Sequence, residues 1–149
     1  MTMSSSASET MVIDHVGIVV RSIEESLERW TTIFGYRQHT RVVTNTRQKV
    51  RVVFLTKPGS LPLKLLEPVD ATSPIYSLSG RGGGLHHLCF RCPSVSEEVA
   101  RLRTAGLRVL TPPQPGEAFE DRQIAFVYAG DGINLELIDT QIRAAVLPE

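Results

Sequence analysis

The chain carries one pattern twice. When the segment from Ile13, IDHVGIVVRSIEESLERW, is set above that from Leu85, LHHLCFRCPSVSEEVARL, an offset of 72 residues (87 − 15) places His15 on His87, Ser22 on Ser94, Glu25 on Glu97 and Arg29 on Arg101. The same offset places Phe54 on Phe126 and Leu63-Lys64-Leu65-Leu66-Glu67 on Leu135-Glu136-Leu137-Ile138-Asp139. Separate patterns that share one offset indicate an internal duplication, so the chain must fold as two copies of one supersecondary unit.

Each copy reads as βαβββ. Residues 12–20 are β-branched and apolar, as strands prefer. Ser22-Ile-Glu-Glu25 follows as a capping box, and Ser94-Val-Ser-Glu97 repeats it. Ile23, Leu27, Trp30 and Phe34 then recur at helical spacing up to Gly35, as Val95, Val99 and Leu102 do before Gly106. Strand-like runs follow near 36–44, 48–57 and 61–67, and again near 107–111, 122–128 and 133–139. Pro58-Gly59-Ser60 and Gly130-Asp131-Gly132 supply the turns. The expected fold class is α+β: two tandem βαβββ modules, about 11–69 and 84–140, forming one cupped mixed sheet with helices on its outer face. Residues 70–83 read as a flexible linker, residues 1–10 as a disordered N-terminus and 141–149 as a C-terminal tail. The run Gly80-Arg-Gly-Gly-Gly84 is not read as a phosphate loop, because it leads into a strand and does not open a helix.

Composition excludes several classes. At 149 residues, with 16 basic and 16 acidic side chains, the chain has no net field to recruit nucleic acid or an anionic membrane. No run approaches the roughly 18 apolar residues of a spanning helix. Residues 1–10 lack the basic start and apolar run of a signal peptide, and two cysteines are too few for a disulfide framework. The expectation is a cytoplasmic chain acting on a small molecule, without nucleic-acid or membrane partners.

Strand periodicity sorts the faces. Val16, Ile18 and Val20 should pack beneath the helix, which turns His15, Gly17 and Val19 away from it. By the same rule His87, Cys89 and Arg91 face away, as do Lys64, Leu66, Glu136 and Ile138. His15, Lys64, His87 and Glu136 thus occupy equivalent positions on the helix-free faces. Two histidines and a carboxylate on rigid strands suit a divalent metal ion, with Zn, Co, Mn, Ni and Fe as candidates. The alternative for the same residues is structural, with Glu136 paired to Lys64. Cys89 and Cys92 match C-x-x-C but point to opposite faces. His86 is expected to face away from His87 in a structural role, and His39 to be solvated.

These residues resemble a known group. Asp14-His15-Val-Gly-Ile-Val-Val, Leu65-Leu66-Glu67-Pro68, Ser73-Pro74-Ile75, Gly84-Leu85-His86-His87 and Leu135-Glu136-Leu137 resemble the vicinal oxygen chelate (glyoxalase/bleomycin resistance/dioxygenase) superfamily, from about residue 12 to 140. Within it the chain is most similar to methylmalonyl-CoA epimerases. The resemblance implies that His15, His87 and Glu136 are three of four metal ligands, and that the protein is a homodimer. The fourth ligand, Glu or Gln in the family, is Lys64 here. That lysine could deprotonate and bind, swing away, or neutralise Glu136. Arg47, before Gln48, stands where the epimerases place a glutamate base, and Ala118-Phe-Glu-Asp121 replaces the family's Gly-Ala-His-Gly.

Three functions are therefore in play. The first is a metal-dependent isomerase, epimerase-like, or a lyase, abstracting a proton α to a carbonyl, with Lys64, Glu120 and Asp121 as candidate acid/base groups. Arg41, Arg47, Lys49 and Arg51 would then meet a phosphate-bearing or carboxylate substrate such as an acyl-CoA. The second is an iron dioxygenase using the same three ligands, and the third is a metal-free small-molecule (drug) binder with a Lys64–Glu136 ion pair.

Overall fold

A computed structural model describes residues 11–149, so the expectation for residues 1–10 lies outside the described residues. In the first module β1 (Val12–Val19) leads to helix α1 (Ile23–Thr32), then to the short β2 (Arg37–Gln38) and β3 (Val43–Asn45), β4 (Val50–Thr56) and β5 (Leu63–Pro68). The crossover holds helix α2 (Tyr76–Gly80). The second module contains β6 (Gly84–Arg91), α3 (Val95–Thr104), β7 (Arg108–Gly116), a 3₁₀ turn (Glu117–Phe119), β8 (Arg122–Gly130) and β9 (Ile133–Ile138). These strands build one open mixed sheet in the order β2-β4-β5-β1-β6-β9-β8-β7, with β3 on β4. None of the described helices is long and apolar enough to cross a membrane.

The duplication is visible in the hydrogen bonds. Ser22 Oγ accepts from Glu25 N and Ser94 Oγ from Glu97 N. Each helix start also donates to a carboxylate at the end of its module's last strand: Ile23 N to Glu67 at 2.8 Å and Val95 N to Asp139 at 3.0 Å. Glu67 and Asp139 are repeat equivalents, so each module uses one acid to satisfy an orphan amide and complement the helix dipole.

The faces divide as strand periodicity requires. Val20, Leu63 and Leu65 pack with Ile23 of α1 on one side, and Cys92 and Leu137 with Val95 and Val99 of α3 on the other. Val19, Leu66, Cys89, Phe126 and Ile138 share the helix-free face. Cys89 and Cys92 thus lie in different clusters, both as free thiols. Burial pushes the Cys89 thiol well up and that of Cys92 up to about 11, so both remain protonated.

Two strand expectations need correction. The run at 36–44 breaks into β2 and β3, separated by His39–Val42. That near 107–111 extends to Gly116 through Pro112, Pro113 and Pro115, which β7 tolerates because it lies at the sheet edge. Within the linker, α2 bonds to the first module through Ser79 Oγ donating to Val20 O, and Gly83 adopts φ 82 where a Cβ would lie 2.1 Å from Val19 O. Residues 141–149 are stitched to the body. Ala144 N donates to Ala118 O, Arg41 N to Ala145 O and Leu147 N to His39 O, each at 2.9 Å.

Candidate metal centre

Two adjacent rows of residues cross the cup face. In one, Phe54, Lys64, Gly17, His87 and Asn134 are successive cross-strand partners; in the other, His15, Cys89, Glu136 and Phe126 are. The rows put the four equivalent residues together at the sheet centre, where His15 and His87 are 0% exposed, Glu136 1% and Lys64 4%. The glycine is required here. A Cβ on Gly17 would lie 2.1 Å from His87 Cε1, in the space the imidazole occupies. Gly17→Ala is therefore expected to displace the ring and cost about 1–3 kcal/mol of stability by overpacking, read by urea denaturation. Unchanged stability would mean that His87 has room to move.

The donor atoms converge on Glu136. His15 Nε2 and His87 Nε2 each lie 3.1 Å from its Oε1, and Lys64 Nζ lies 3.4 Å from Oε1 and 3.3 Å from Oε2. Burial works to raise the Glu136 carboxyl, but the Lys64 charge and the contacts from His15 and His87 outweigh it and hold the group well below the usual carboxylate range. Burial drives His87 down to about 3, against the opposing pull of Glu136, so its ring is neutral at ordinary pH.

Behind His15, Asp14 accepts from Nδ1 at 2.7 Å. A carboxylate only accepts, so Nδ1 bears the proton, and in the neutral ring Nε2 presents its lone pair to Glu136. Two lone pairs 3.1 Å apart call for positive charge between them, from a second proton on His15 or from a metal ion. His87 supports the metal. Its Nε2 misses hydrogen-bond geometry with Glu136 and has no other partner among the described residues, a buried nitrogen aimed at the same point. One donor atom from each of His15, His87 and Glu136 lies within 4.8 Å of the others. The set fits a divalent ion held by three protein ligands.

Above Lys64 and Glu136 opens a cavity of about 310 Å³, walled by Val50, Leu66, Ile75, Leu110 and Phe126, with Asn45, Gln48, Thr111 and Asn134 as neutral polar groups. His86 also lines it, which corrects the expectation of a residue facing elsewhere. Its Nδ1 lies 2.8 Å from His87 Nδ1, so one ring donates to the other and His86 Nε2 remains for the cavity. Burial, then the Lys64 charge, lowers its pKa. Strand alternation concealed it, because the register of β1 on β6 shifts between Gly17 and Ile18, opposite this pair of histidines.

Of the acid/base candidates only Lys64 reaches the cavity. Glu120 and Asp121 are exposed at the exit of the 3₁₀ turn, with φ of 54 and 65. Asp121 lines a separate shallow depression with Thr46, Arg47 and Glu117. The basic set also disperses. Arg51 pairs with Glu67 at 2.5 Å and with Glu24 of α1 at 3.1 Å, on the helix side, while Arg41, Arg47 and Lys49 remain exposed.

Residues 14–126 match the glyoxalase/bleomycin resistance protein/dioxygenase superfamily. The chain belongs to that superfamily. Among its relatives, the uncharacterized protein YqjC of Bacillus subtilis is 32% identical over 131 residues, covering 85% of this chain and 91% of that protein. An ethylmalonyl-CoA/methylmalonyl-CoA epimerase of Cereibacter sphaeroides is 26% identical over 121 residues, covering 80% and 89%. The crystal structure of methylmalonyl-CoA epimerase from Mycobacterium tuberculosis superposes with a TM-score of 0.74 at 30% identity, covering 85% of this chain and 86% of that one. The superfamily fold is thus shared with epimerases over nearly the whole described chain.

Proposed function

We propose that the chain is a proton-transfer enzyme of the epimerase/isomerase type, which removes a proton α to the carbonyl of a small acyl substrate at the floor of the 310 Å³ cavity. The observation that carries this reading is the arrangement of that floor. Lys64 and Glu136 surface into the cavity while His15 and His87 aim their Nε2 atoms at Glu136 from beneath. The epimerase relatives make an acyl-CoA thioester the first substrate to try.

His15, His87 and Glu136 would hold the divalent ion, whose charge supplies Lewis-acid stabilisation of an enolate oxygen. The protein's own groups do the rest. The apolar wall displaces water from the reacting carbon, which strengthens every charge interaction inside. Lys64 lies over the rings of Phe119 and Phe54 at 5.2 and 5.8 Å; as the free amine it takes the α-proton, and the ammonium so formed stabilises the oxygen's negative charge. With His87 Nδ1–H donating to His86 Nδ1, as ligation through His87 Nε2 requires, His86 Nε2 carries that ring's proton and donates to the developing enolate oxygen as the acid.

The test is exchange of the α-proton of methylmalonyl-CoA and other 2-substituted acyl-CoA thioesters in D₂O, followed by NMR. Exchange is expected, and His86→Ala should slow it by about 10²–10⁴-fold, the usual contribution of a positioned acid/base group. No exchange with any thioester, with metal supplied, would contradict the proposal. One observation favours a second reading, a metal-free binder: Lys64 alone already gives Glu136 a cationic partner.

A further inference from the structure

The two histidines of the centre are not held alike. In the duplication Asp14 corresponds to His86, so His15 rests on a carboxylate while His87 rests on a neutral ring. Asp14 is itself held by two arginines, one in β6 and one beyond both modules. Its Oδ1 accepts from Arg91 Nη1 at 2.7 Å, and its Oδ2, which receives His15 Nδ1, also accepts from Nη2 of Arg143. Arg91 is one-third exposed, so water competes with its contact, whereas the Arg143 side chain is 9% exposed. Arg143 belongs to the C-terminal strap. Its guanidinium lies 4.4 Å over the ring of Phe54 and 5.3 Å over that of Phe119, the two rings that also flank His15 at 5.1 and 6.3 Å. The strap is anchored just beyond this point, by Ala144 to Ala118 and by Leu147 to His39.

From this geometry we infer that Arg143 is a positioning residue for the metal centre, through which the C-terminal strap fixes the Asp14 carboxylate and hence the direction and tautomer of His15. Partners behind a ligating histidine orient its ring and raise its basicity as a ligand. Here that support reaches one histidine of the pair and comes from a segment that neither module contains. The inference rests on the metal reading proposed above, and its test separates the two. Co²⁺ binding is followed by visible absorption in the parent chain, Arg143→Met and Arg143→Lys, and the His15 ring nitrogens are followed by ¹⁵N NMR in the metal-free proteins.

Arg143→Met is expected to weaken Co²⁺ binding by about 10–100-fold, to shift the Co²⁺ absorption, and to broaden the His15 Nδ1–H signal while leaving His87 unchanged. Arg143→Lys, which keeps the charge and most of the stem, should recover part of the affinity and the His15 signal. A parent chain that binds no Co²⁺ while Arg143→Met still loses the His15 signal would remove the metal reading and keep the positioning role. Wild-type Co²⁺ affinity and unchanged His15 resonances in Arg143→Met would overturn the inference. If that variant does not fold, an unchanged Arg143→Lys would overturn it equally, because one ammonium cannot reproduce the guanidinium's reach.

Discussion

Lys64→Gln is expected to bind a divalent cation roughly a hundredfold or more tightly than the parent chain. The reason is competition for one carboxylate. Glu136 is the acid shared by His15, His87 and Lys64, and the ammonium lies within 3.4 Å of both its oxygens. An ion bound by the three ligands must sit beside that ammonium. Two unit charges ~4 Å apart repel by ~4 kcal/mol at the effective dielectric of a protein site, and a divalent ion doubles the charge on one side. Movement of the lysine stem relieves part of this, and each ~1.4 kcal/mol that remains is a factor of ten in affinity. Glutamine removes the charge and offers an amide oxygen at the same position. Isothermal titration with Co²⁺ or Zn²⁺ measures the difference. Equal affinities in the two proteins would show that Lys64 already points away from the ion.

The second large effect concerns stability. Glu136→Ala is expected to destabilise the fold by about 3–5 kcal/mol, the range seen when one partner of a buried ion pair is removed and the other is left uncompensated. Lys64 is 4% exposed and Glu136 is its anionic partner, so the ammonium would lose its counter-charge without gaining water. Both charges can be removed together: Lys64→Met with Glu136→Leu should recover most of the loss, because a well-packed apolar pair of similar volume is often neutral or better. Urea denaturation of the two single variants and the double variant measures the coupling. A double variant as unstable as Glu136→Ala alone would mean that the carboxylate matters through the histidines and not through the lysine. In either case the double variant should bind no metal.

Much of this architecture was legible in the residues because a duplication constrains each half with the other. The offset that aligns His15 with His87 also aligns Lys64 with Glu136, and period-two alternation along the strands sufficed to bring the four together. What escaped has a physical reason in each case. His86 escaped because strand alternation assumes an unbroken register, and β1 shifts against β6 opposite that residue. Arg143 escaped because its partners, Asp14, Phe54 and Phe119, come from three distant segments, and a short irregular segment carries no periodic signal. Arg51 escaped in the opposite sense: grouped with its basic neighbours in sequence, it turns to Glu24 and Glu67 on the other face. Lys64 was placed correctly, but its consequence for metal affinity depends on its distance from Glu136.

We propose that His15, His87 and Glu136, whose donor atoms converge, hold one divalent cation. The most direct test is the metal content per chain after reconstitution with Co²⁺ and removal of unbound ion, in the Lys64→Gln protein with the parent chain and His87→Ala beside it. One ion per Lys64→Gln chain is expected, with weaker or partial loading of the parent and none in His87→Ala. Absence of bound cobalt from both the parent and Lys64→Gln would contradict the proposal and leave a metal-free cavity.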